Sequence, residues 1–211
     1  MSIEIKKPFG PSIAKIIMPD EIIFSMNKYV EEIIMDKAKF QDLNYGNHLA
    51  GNVQQEFRLG LEFMKKNNWA EFLAKSCQEW LSEGHNISIK KFEIISSWIV
   101  RQFKNEYNPI HWHGGHISGA GFLKVPKDMG NYIQDKNDRE YKGGSLILVH
   151  GTRQFLSGST FTIKPEVGDF YFFPSYLMHT VYPFKGSDEE RRSISFNAKI
   201  DEEIHNVHAG R

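Results

Sequence analysis

The segment NPIHWHGGH, residues 108–116, places three of the chain's nine histidines within six positions. Successive side chains of a β-strand point to opposite faces, so His111 and His113 would project from the same face of a strand. Two imidazoles on one face can take adjacent positions on a metal ion, and imidazole suits iron, copper, nickel and zinc. The pattern is not specific by itself, because two hydrogen-bonded histidines at a strand end would look the same.

A metal site on a sheet needs a further ligand from a distant strand, and His179 is placed to supply it. The β-prone segment GDFYFFP ends at Pro174, and His179 opens the next such segment, HTVYPF. His116 is a competing ligand, since two glycines before it can turn the chain, although a contact with the substrate fits it better. His150 ends a core strand and is expected to be structural. The remaining histidines are expected on the surface: His48, His85, His205 and His208.

An anion-binding group is predicted in the segment RRSISFNAKI, where polar and apolar residues alternate. Arg191, Ser193, Ser195 and Asn197 share one face, which predicts a strand with one face toward a cavity and the other face packed. The planar fork of an arginine matches a carboxylate, and a hydroxyl two residues on can complete the contact. The alternative for Arg191 is a solvated charge beside the acidic residues 188–190.

Helices early in the chain and strands later would position these side chains. The segment PDEIIFSMNKYVEEIIMDK carries an apolar stripe at helical spacing. A second helix is expected from Trp69 to Gly84, with Asn68 as its cap and Cys77 on its core-facing side. After Gly84, short β-prone segments bounded by Gly or Pro indicate a sandwich, jelly roll or barrel. The polar segment KDMGNYIQDKNDREYK is expected to be a long loop at the mouth of this core.

The composition excludes several classes of protein. The chain has 211 residues, and Lys plus Arg equals Asp plus Glu at 26 each. This balance argues against nucleic-acid binding by charge and against a polybasic membrane anchor. A single cysteine, the lack of a leader pattern and the lack of an apolar run of about 18 residues predict a soluble cytoplasmic protein. We expect one domain over residues 1–211, mainly helical at 1–85 and a β core at 86–205.

The order H-x-H, a distal His and then R-x-S resembles the iron(II)/2-oxoglutarate-dependent dioxygenases. It is most similar to their prolyl-hydroxylase-like branch, which includes small oxygenases of bacteria and phages. The resemblance covers residues 98–200 and lies in NPIHWHGGHISGAGFLKVP, YKGGSLILVHG, KPEVGDFYFFPSYLMHTVYPF and RRSISFN. It implies an α+β fold in which a double-stranded β-helix, or jelly roll, carries N-terminal helices packed on one side.

The resemblance also implies a metal-ligand set. His111 and His179 match the first and the distal ligand, and His113 would be the third. Most of the superfamily has Asp or Glu at that third position. Three neutral imidazoles would leave the metal without the negative charge that a carboxylate ligand supplies.

Co-substrate contacts are implied in the same way. Arg191 and Ser193 match the pair that binds the distal carboxylate of 2-oxoglutarate. Asn108 and Gln102 lie near the first motif, and we expect them to hydrogen-bond the co-substrate or the substrate.

The resemblance implies Fe(II), 2-oxoglutarate and O2 as cofactor and co-substrates. The implied reaction hydroxylates a C–H bond of a prolyl or other peptidyl substrate, or of a small molecule, and releases succinate and CO2. A cupin-like three-histidine dioxygenase that does not use 2-oxoglutarate is one alternative, although Tyr176 stands where a cupin has glycine. A non-catalytic jelly-roll binding module is the other, and the missing carboxylate ligand favours it. The sequence predicts no nucleic-acid or membrane partner and leaves the oligomeric state open.

Overall fold

Two antiparallel β-sheets and five helices make up the part of the chain that the structure describes. The computed structural model describes residues 3–6, 10–44, 52–130 and 143–209. The strands are β1 (Ile3–Lys6), β2 (Ile13–Ile17), β3 (Gln55–Arg58), β4 (Phe92–Gln102), β5 (Asn108–His111), β6 (Ile117–Lys124), β7 (Leu146–Val149), β8 (Thr160–Ile163), β9 (Asp169–Pro174), β10 (Met178–Val181) and β11 (Arg191–Ile200). The larger sheet has the order β1-β2-β9-β6-β11-β4-β3, and the smaller sheet has the order β5-β10-β7-β8.

The helices cover one face of the larger sheet. They are α1 (Asp20–Met35), α2 (Lys37–Leu43), α3 (Leu61–Lys66), α4 (Trp69–His85) and α5 (Glu202–Ala209). α1 and α4 each carry an apolar stripe at helical spacing, and this stripe is the side that packs on the strands. The buried stripe residues include Ile22, Met26, Val30 and Ile33 of α1, and Trp69, Leu73, Cys77 and Trp80 of α4. They share one core with residues of the larger sheet, as the sequence predicted for helices packed on one side.

β9 illustrates how both faces of the larger sheet are buried. Phe170 and Phe172 point into the core beneath the helices, whereas Tyr171 and Phe173 point into the space between the two sheets. All four side chains are buried, because the strand alternates its side chains between two covered faces. Burying one such phenylalanine contributes roughly 1.5–3 kcal/mol. The space between the sheets is therefore a second core, and the candidate site opens from it.

The first 85 residues contain three short strands in addition to the predicted helices. β1, β2 and β3 lie there, and all three extend the larger sheet. β2 pairs with β9, and β3 pairs with β4. These strands have only four or five residues each, too few for a period to be visible in the sequence. The partners of β2 and β3 are at least 40 residues away, and pairing with them decides the conformation of these two strands.

The boundaries of α4 differ slightly from the prediction. Asn68 precedes the helix as expected, but its backbone is left-handed and its side chain makes no capping hydrogen bond. The helix ends at His85 rather than Gly84, because Asn86 takes the left-handed conformation that closes it. Among the described residues, no helix is both long and apolar enough to cross a membrane. Residues 131–142 of the predicted long loop lie outside the described residues.

Candidate active site

A cavity of about 210 Å³ opens between the two sheets. β4 and β11 of the larger sheet form one wall, and β5 and β10 of the smaller sheet form the other. Of the predicted site residues, all but Gln102 line this cavity: His111, His113, His179, Arg191, Ser193 and Asn108. The structure therefore brings together residues that lie up to 85 positions apart in the sequence.

The three predicted metal-binding histidines converge on one point. His111 and His179 are direct cross-strand partners on β5 and β10, and their ring centroids lie 4.3 Å apart. The ring of His113 lies 4.9 Å from that of His111 and 5.0 Å from that of His179. One potential ligand atom from each residue lies within 4.8 Å of the other two.

Two of these imidazoles are held in the tautomer that a metal ligand needs. Nδ1 of His111 lies 2.7 Å from the Pro109 carbonyl oxygen, and Nδ1 of His179 lies 2.9 Å from that of Leu177. A carbonyl oxygen only accepts, so Nδ1 carries the proton in both rings. The lone pair is then on Nε2, and a backbone hydrogen bond of this kind also fixes the ring orientation.

The cavity keeps the rings of His113 and His179 neutral. Burial, with a smaller contribution from His111, lowers the pKa of His113 to about 4 and the pKa of His179 to about 3. Nε2 of His113 lies 3.2 Å from Nε2 of His179. Two lone pairs at that distance repel unless a proton or a cation lies between them. Three imidazoles in this arrangement fit a divalent transition metal.

His113 is not on a strand, which corrects the expectation from the i, i+2 spacing. β5 ends at His111, and hydrogen bonds to the turn after β9 hold the following residues in place. The backbone N–H of His113 donates to the Ser175 carbonyl (3.0 Å), and the Ser175 N–H donates to the His116 carbonyl (3.1 Å). The Ser175 hydroxyl donates to the Gly115 carbonyl (2.6 Å). Ser175 therefore fixes His113 relative to His179, a role that the sequence analysis missed.

Arg191 is buried in the cavity wall without an anionic partner among the described residues. Its side chain is 2% exposed, its guanidinium lies 5.0 Å from the centre of the Phe122 ring, and Nη1 donates to the Ser193 hydroxyl at 3.3 Å. Nε has no hydrogen-bond partner in the described part of the chain. Burial lowers the pKa of Arg191 to about 9, which leaves it charged at neutral pH. A buried unpaired guanidinium is unfavourable until an anion binds.

The acidic residues before Arg191 do not neutralise it. The Glu190 carboxylate pairs with Arg101, whose Nε donates at 2.7 Å, and also with Arg192. Arg192 reaches the opposite face of the sheet, where it pairs with Glu31 of α1 at 2.7 Å. The alternative that Arg191 is a solvated charge at a loop end is therefore wrong.

Asn108 and Gln102 have different surroundings. Asn108 lines the cavity, and its backbone carbonyl accepts a hydrogen bond from the Thr180 hydroxyl at 2.7 Å. The side-chain nitrogen of Gln102 donates to the backbone carbonyls of Glu106 (2.6 Å) and Tyr182 (3.3 Å). Gln102 therefore stabilises the connection between β4 and β5 and does not line the cavity.

Glu56 is a cavity residue that the sequence analysis missed. It lies on β3, is 3% exposed and lines the same cavity as the histidines. Its Oε2 has no hydrogen-bond partner among the described residues. Burial, with a smaller contribution from Glu106, raises the pKa of Glu56 to about 7. No pattern in the sequence QEFR signals this position, because the strand is too short to show which side is buried.

His116 lies outside this cavity, in a separate group with Glu202 and His205. Its ring stacks on that of His205 at 3.8 Å, and its Nδ1 accepts the backbone N–H of Ile200 at 3.1 Å. The proton of neutral His116 is then on Nε2, which lies 3.6 Å from Glu202 Oε2. The lone pair of His116 is already used, so the structure does not favour it as a metal ligand.

The other histidines do not line the cavity. His150 is half-buried after β7, and His85 is exposed and contacts the Ser12 hydroxyl. His205 is half-buried, so the expectation of a surface position is wrong for this residue. His48 and the side chain of His208 lie outside the described residues.

Most residues of this cavity lie in a part of the chain that matches a known protein family. A profile described as "Putative 2OG-Fe(II) oxygenase" matches residues 96–197, from β4 into β11. Over these residues the chain is similar to this oxygenase family. The matched range contains the three cavity histidines and the arginine–serine pair. No curated protein matches this sequence.

Solved structures show the same fold at low sequence identity. A Pseudomonas putida prolyl-4-hydroxylase is 12% identical, with a TM-score of 0.57 over 88% of this chain and 91% of that one. The viral collagen prolyl hydroxylase from Paramecium bursaria Chlorella virus-1 is 17% identical, with a TM-score of 0.53 over 88% and 94%. A Trichoplax adhaerens prolyl hydroxylase is 12% identical, with a TM-score of 0.55 over 92% and 86%.

The profile match confirms the predicted resemblance to these oxygenases, and the solved structures confirm the double-stranded β-helix fold with N-terminal helices. That family uses Fe(II) and 2-oxoglutarate, and the fold of this chain is the one seen in the prolyl hydroxylases. The match favours this interpretation over a cupin-like enzyme without 2-oxoglutarate and over a non-catalytic module.

Proposed function

We propose that the protein is a hydroxylase that holds Fe(II) with His111, His113 and His179 and binds 2-oxoglutarate with Arg191 and Ser193. One observation carries the proposal. Three imidazoles with nitrogens within 4.8 Å of one another share a cavity with a buried guanidinium that has no anionic partner among the described residues. The first group suits a metal dication, and the second suits a carboxylate.

Iron(II) in this cavity, together with 2-oxoglutarate and O2, supplies the oxidation that releases succinate and CO2 and hydroxylates a C–H bond of the substrate. The chain's own residues orient the reactants and exclude water. The Nδ1 hydrogen bonds of His111 and His179 aim both Nε2 atoms into the cavity. The Ser193 hydroxyl already contacts the Arg191 guanidinium, so the two donors are arranged before a carboxylate binds.

Apolar residues of both sheets complete the walls and keep the reaction away from bulk water. Leu146, Phe173 and Val181 line the cavity beside the histidines, and Trp98 packs against His113 with ring centroids 5.5 Å apart. In such surroundings the interaction of Arg191 with a carboxylate is stronger than it would be in water. Asn108 is a hydrogen-bonding group of the same wall, placed to contact the co-substrate or the substrate.

The size of the cavity favours a substrate that inserts one group from outside. At about 210 Å³ it is smaller than the roughly 300–1,000 Å³ of pockets that enclose a drug-sized ligand. Trp112 lines the cavity and is 64% exposed, which provides an apolar contact at its mouth. A prolyl or other peptidyl side chain fits these features, and a small molecule is the second option. The solved Trichoplax relative carries a peptide fragment in its complex.

An anaerobic titration with Fe(II), followed by a succinate assay with 2-oxoglutarate and O2, tests the proposal. The unmodified protein should bind one iron and form succinate slowly even without substrate. His179→Ala should lose both properties, and the matched control His85→Ala, an exposed histidine of α4, should keep both. Equal iron binding by the His179→Ala protein would show that the metal does not bind at this cavity.

A further inference from the structure

The buried carboxyl group of Glu56 has no task in the function proposed above. Glu56 pairs across the sheet with Val100, and Val100 pairs with Ser193. Directly paired residues point to the same face of a sheet, so Glu56 and the co-substrate-binding serine face the same cavity. Two strand spacings place their Cα atoms about 10 Å apart.

Leaving this carboxyl without a partner is unfavourable for the fold. Its Oε2 is fully buried, and the described part of the chain offers it no hydrogen-bond donor and no ion pair. Burying a polar group without a partner costs about 1–3 kcal/mol, and a charge costs more. The other charged side chain of the cavity wall, Arg191, also lacks an ionic partner among the described residues, and no ion pair joins the two.

The charges of the occupied cavity explain why a carboxyl group would be kept there. Two histidines and one carboxylate, the usual triad, give iron(II) one compensating negative charge. Here the three imidazoles contribute none. Iron(II), dianionic 2-oxoglutarate and the Arg191 guanidinium together leave one net positive charge in a cavity with apolar walls. An ionised Glu56 brings that sum to zero.

We propose that Glu56 is the counter-charge of the three-histidine centre and replaces, from the cavity wall, the negative charge that His113 does not supply as a ligand. Glu56 strengthens metal binding and weakens the binding of the dianionic co-substrate. It acts through space and is not a metal ligand. This inference rests on the proposed function, because it assumes that Fe(II) and 2-oxoglutarate occupy this cavity.

Glu56→Gln removes the charge and keeps the shape of the side chain. Because a negative charge attracts the metal and repels the co-substrate, its loss should shift the two dissociation constants in opposite directions. If the carboxylate lies about 10 Å from the doubly charged ion, the same separation as between the Cα atoms of Glu56 and Ser193, even water-like screening corresponds to about a fourfold effect. We expect the Fe(II) Kd to rise at least about fourfold and the 2-oxoglutarate Kd of the iron-loaded protein to fall by a similar factor.

Both constants are measured by anaerobic titration, with two further variants. Glu31→Gln is the matched control, because it removes a carboxylate that pairs with Arg192 beside α1, outside the cavity. It should change neither constant. His113→Asp in the Glu56→Gln background returns one negative charge to the centre, so both constants should return toward those of the unmodified protein. Glu56→Asp keeps the charge, so its Fe(II) and 2-oxoglutarate dissociation constants should be close to those of the unmodified protein.

The outcomes separate the two proposals. If the unmodified protein binds no iron, the proposed function fails, and the counter-charge fails with it. If it binds iron and 2-oxoglutarate but Glu56→Gln leaves both constants unchanged, the counter-charge is refuted while the proposed function stands. A shift of both constants in the same direction would also refute it, because a structural defect at Glu56 would weaken both ligands together.

Discussion

Replacing Glu56 by glutamine should stabilise the metal-free protein at alkaline pH and leave its stability nearly unchanged in acid. Burial raises the pKa of Glu56 from 4.5 to about 7 in the folded protein. Between these two values the folded state holds a proton that the unfolded state has released. The stability of the unmodified protein therefore falls as the pH rises from about 4.5 through 7.

The magnitude follows from the same two pKa values. A difference of about 2.5, at about 1.4 kcal/mol for each pKa unit, corresponds to roughly 3 kcal/mol. Glu56 is almost fully buried, so solvent screening removes little of this amount. Glutamine does not ionise, and the variant should be more stable by roughly 3 kcal/mol above pH 7.5, with no pH-dependent advantage below pH 4.5.

Urea unfolding in the presence of a chelator, at several pH values from 4 to 8, measures this difference. Subtracting the two proteins' free energies of unfolding at each pH removes the titration of all other groups. Glu83→Gln, at an exposed position of α4, should give the same pH profile as the unmodified protein. A stability difference for Glu56→Gln that stays constant from pH 4.5 to pH 8 would refute the reasoning, because Glu56 would then not titrate differently on folding.

Three other substitutions test separate parts of the structure. Arg191→Met should raise the 2-oxoglutarate Kd of the iron-loaded protein by about 10- to 100-fold, since charged hydrogen bonds contribute about 1.5–3 kcal/mol; an unchanged Kd in an anaerobic titration would contradict this placement. Gly144→Ala should destabilise the protein by about 1–3 kcal/mol in urea, because φ is +68° and the added Cβ would lie 2.5 Å from Met129 Sδ and 3.3 Å from Arg191 Cδ. Phe170→Ala should reduce the free energy of unfolding by about 3–5 kcal/mol without changing the metal stoichiometry; a loss under 1 kcal/mol would contradict the packing.

The sequence predicted those helices and strands in which the same face is buried along the whole element. The alternation in β11 identified the cavity face with Arg191 and Ser193, and the opposite face lies in the core as expected. The stripe of α1 was visible because one helix face packs against one sheet over four turns. The sequence predicted that His111 and His179 lie together because a metal site that begins with the H-x-H motif needs a further ligand from a distant strand, and His179 opens such a strand.

What the sequence did not predict depends on contacts between distant segments. Glu56 enters the cavity because β3 pairs with β4 in a particular register, and a shift of one residue would turn it to the opposite face. Ser175 positions His113 through hydrogen bonds across about 60 residues. Gln102 was expected to hydrogen-bond the co-substrate or the substrate. Its side-chain nitrogen instead donates to two backbone carbonyls on separate loops. Such partners become visible only once the fold is known.

A crystal structure of the protein with Fe(II) and 2-oxoglutarate, prepared without oxygen, tests the central claim most directly. We predict an iron ion with Nε2 of His111, His113 and His179 at about 2.1 Å, the distance typical of imidazole ligands. We also predict the distal carboxylate of 2-oxoglutarate on the Arg191 guanidinium. Iron bound by the group around His116, or a co-substrate that does not contact Arg191, would contradict the account.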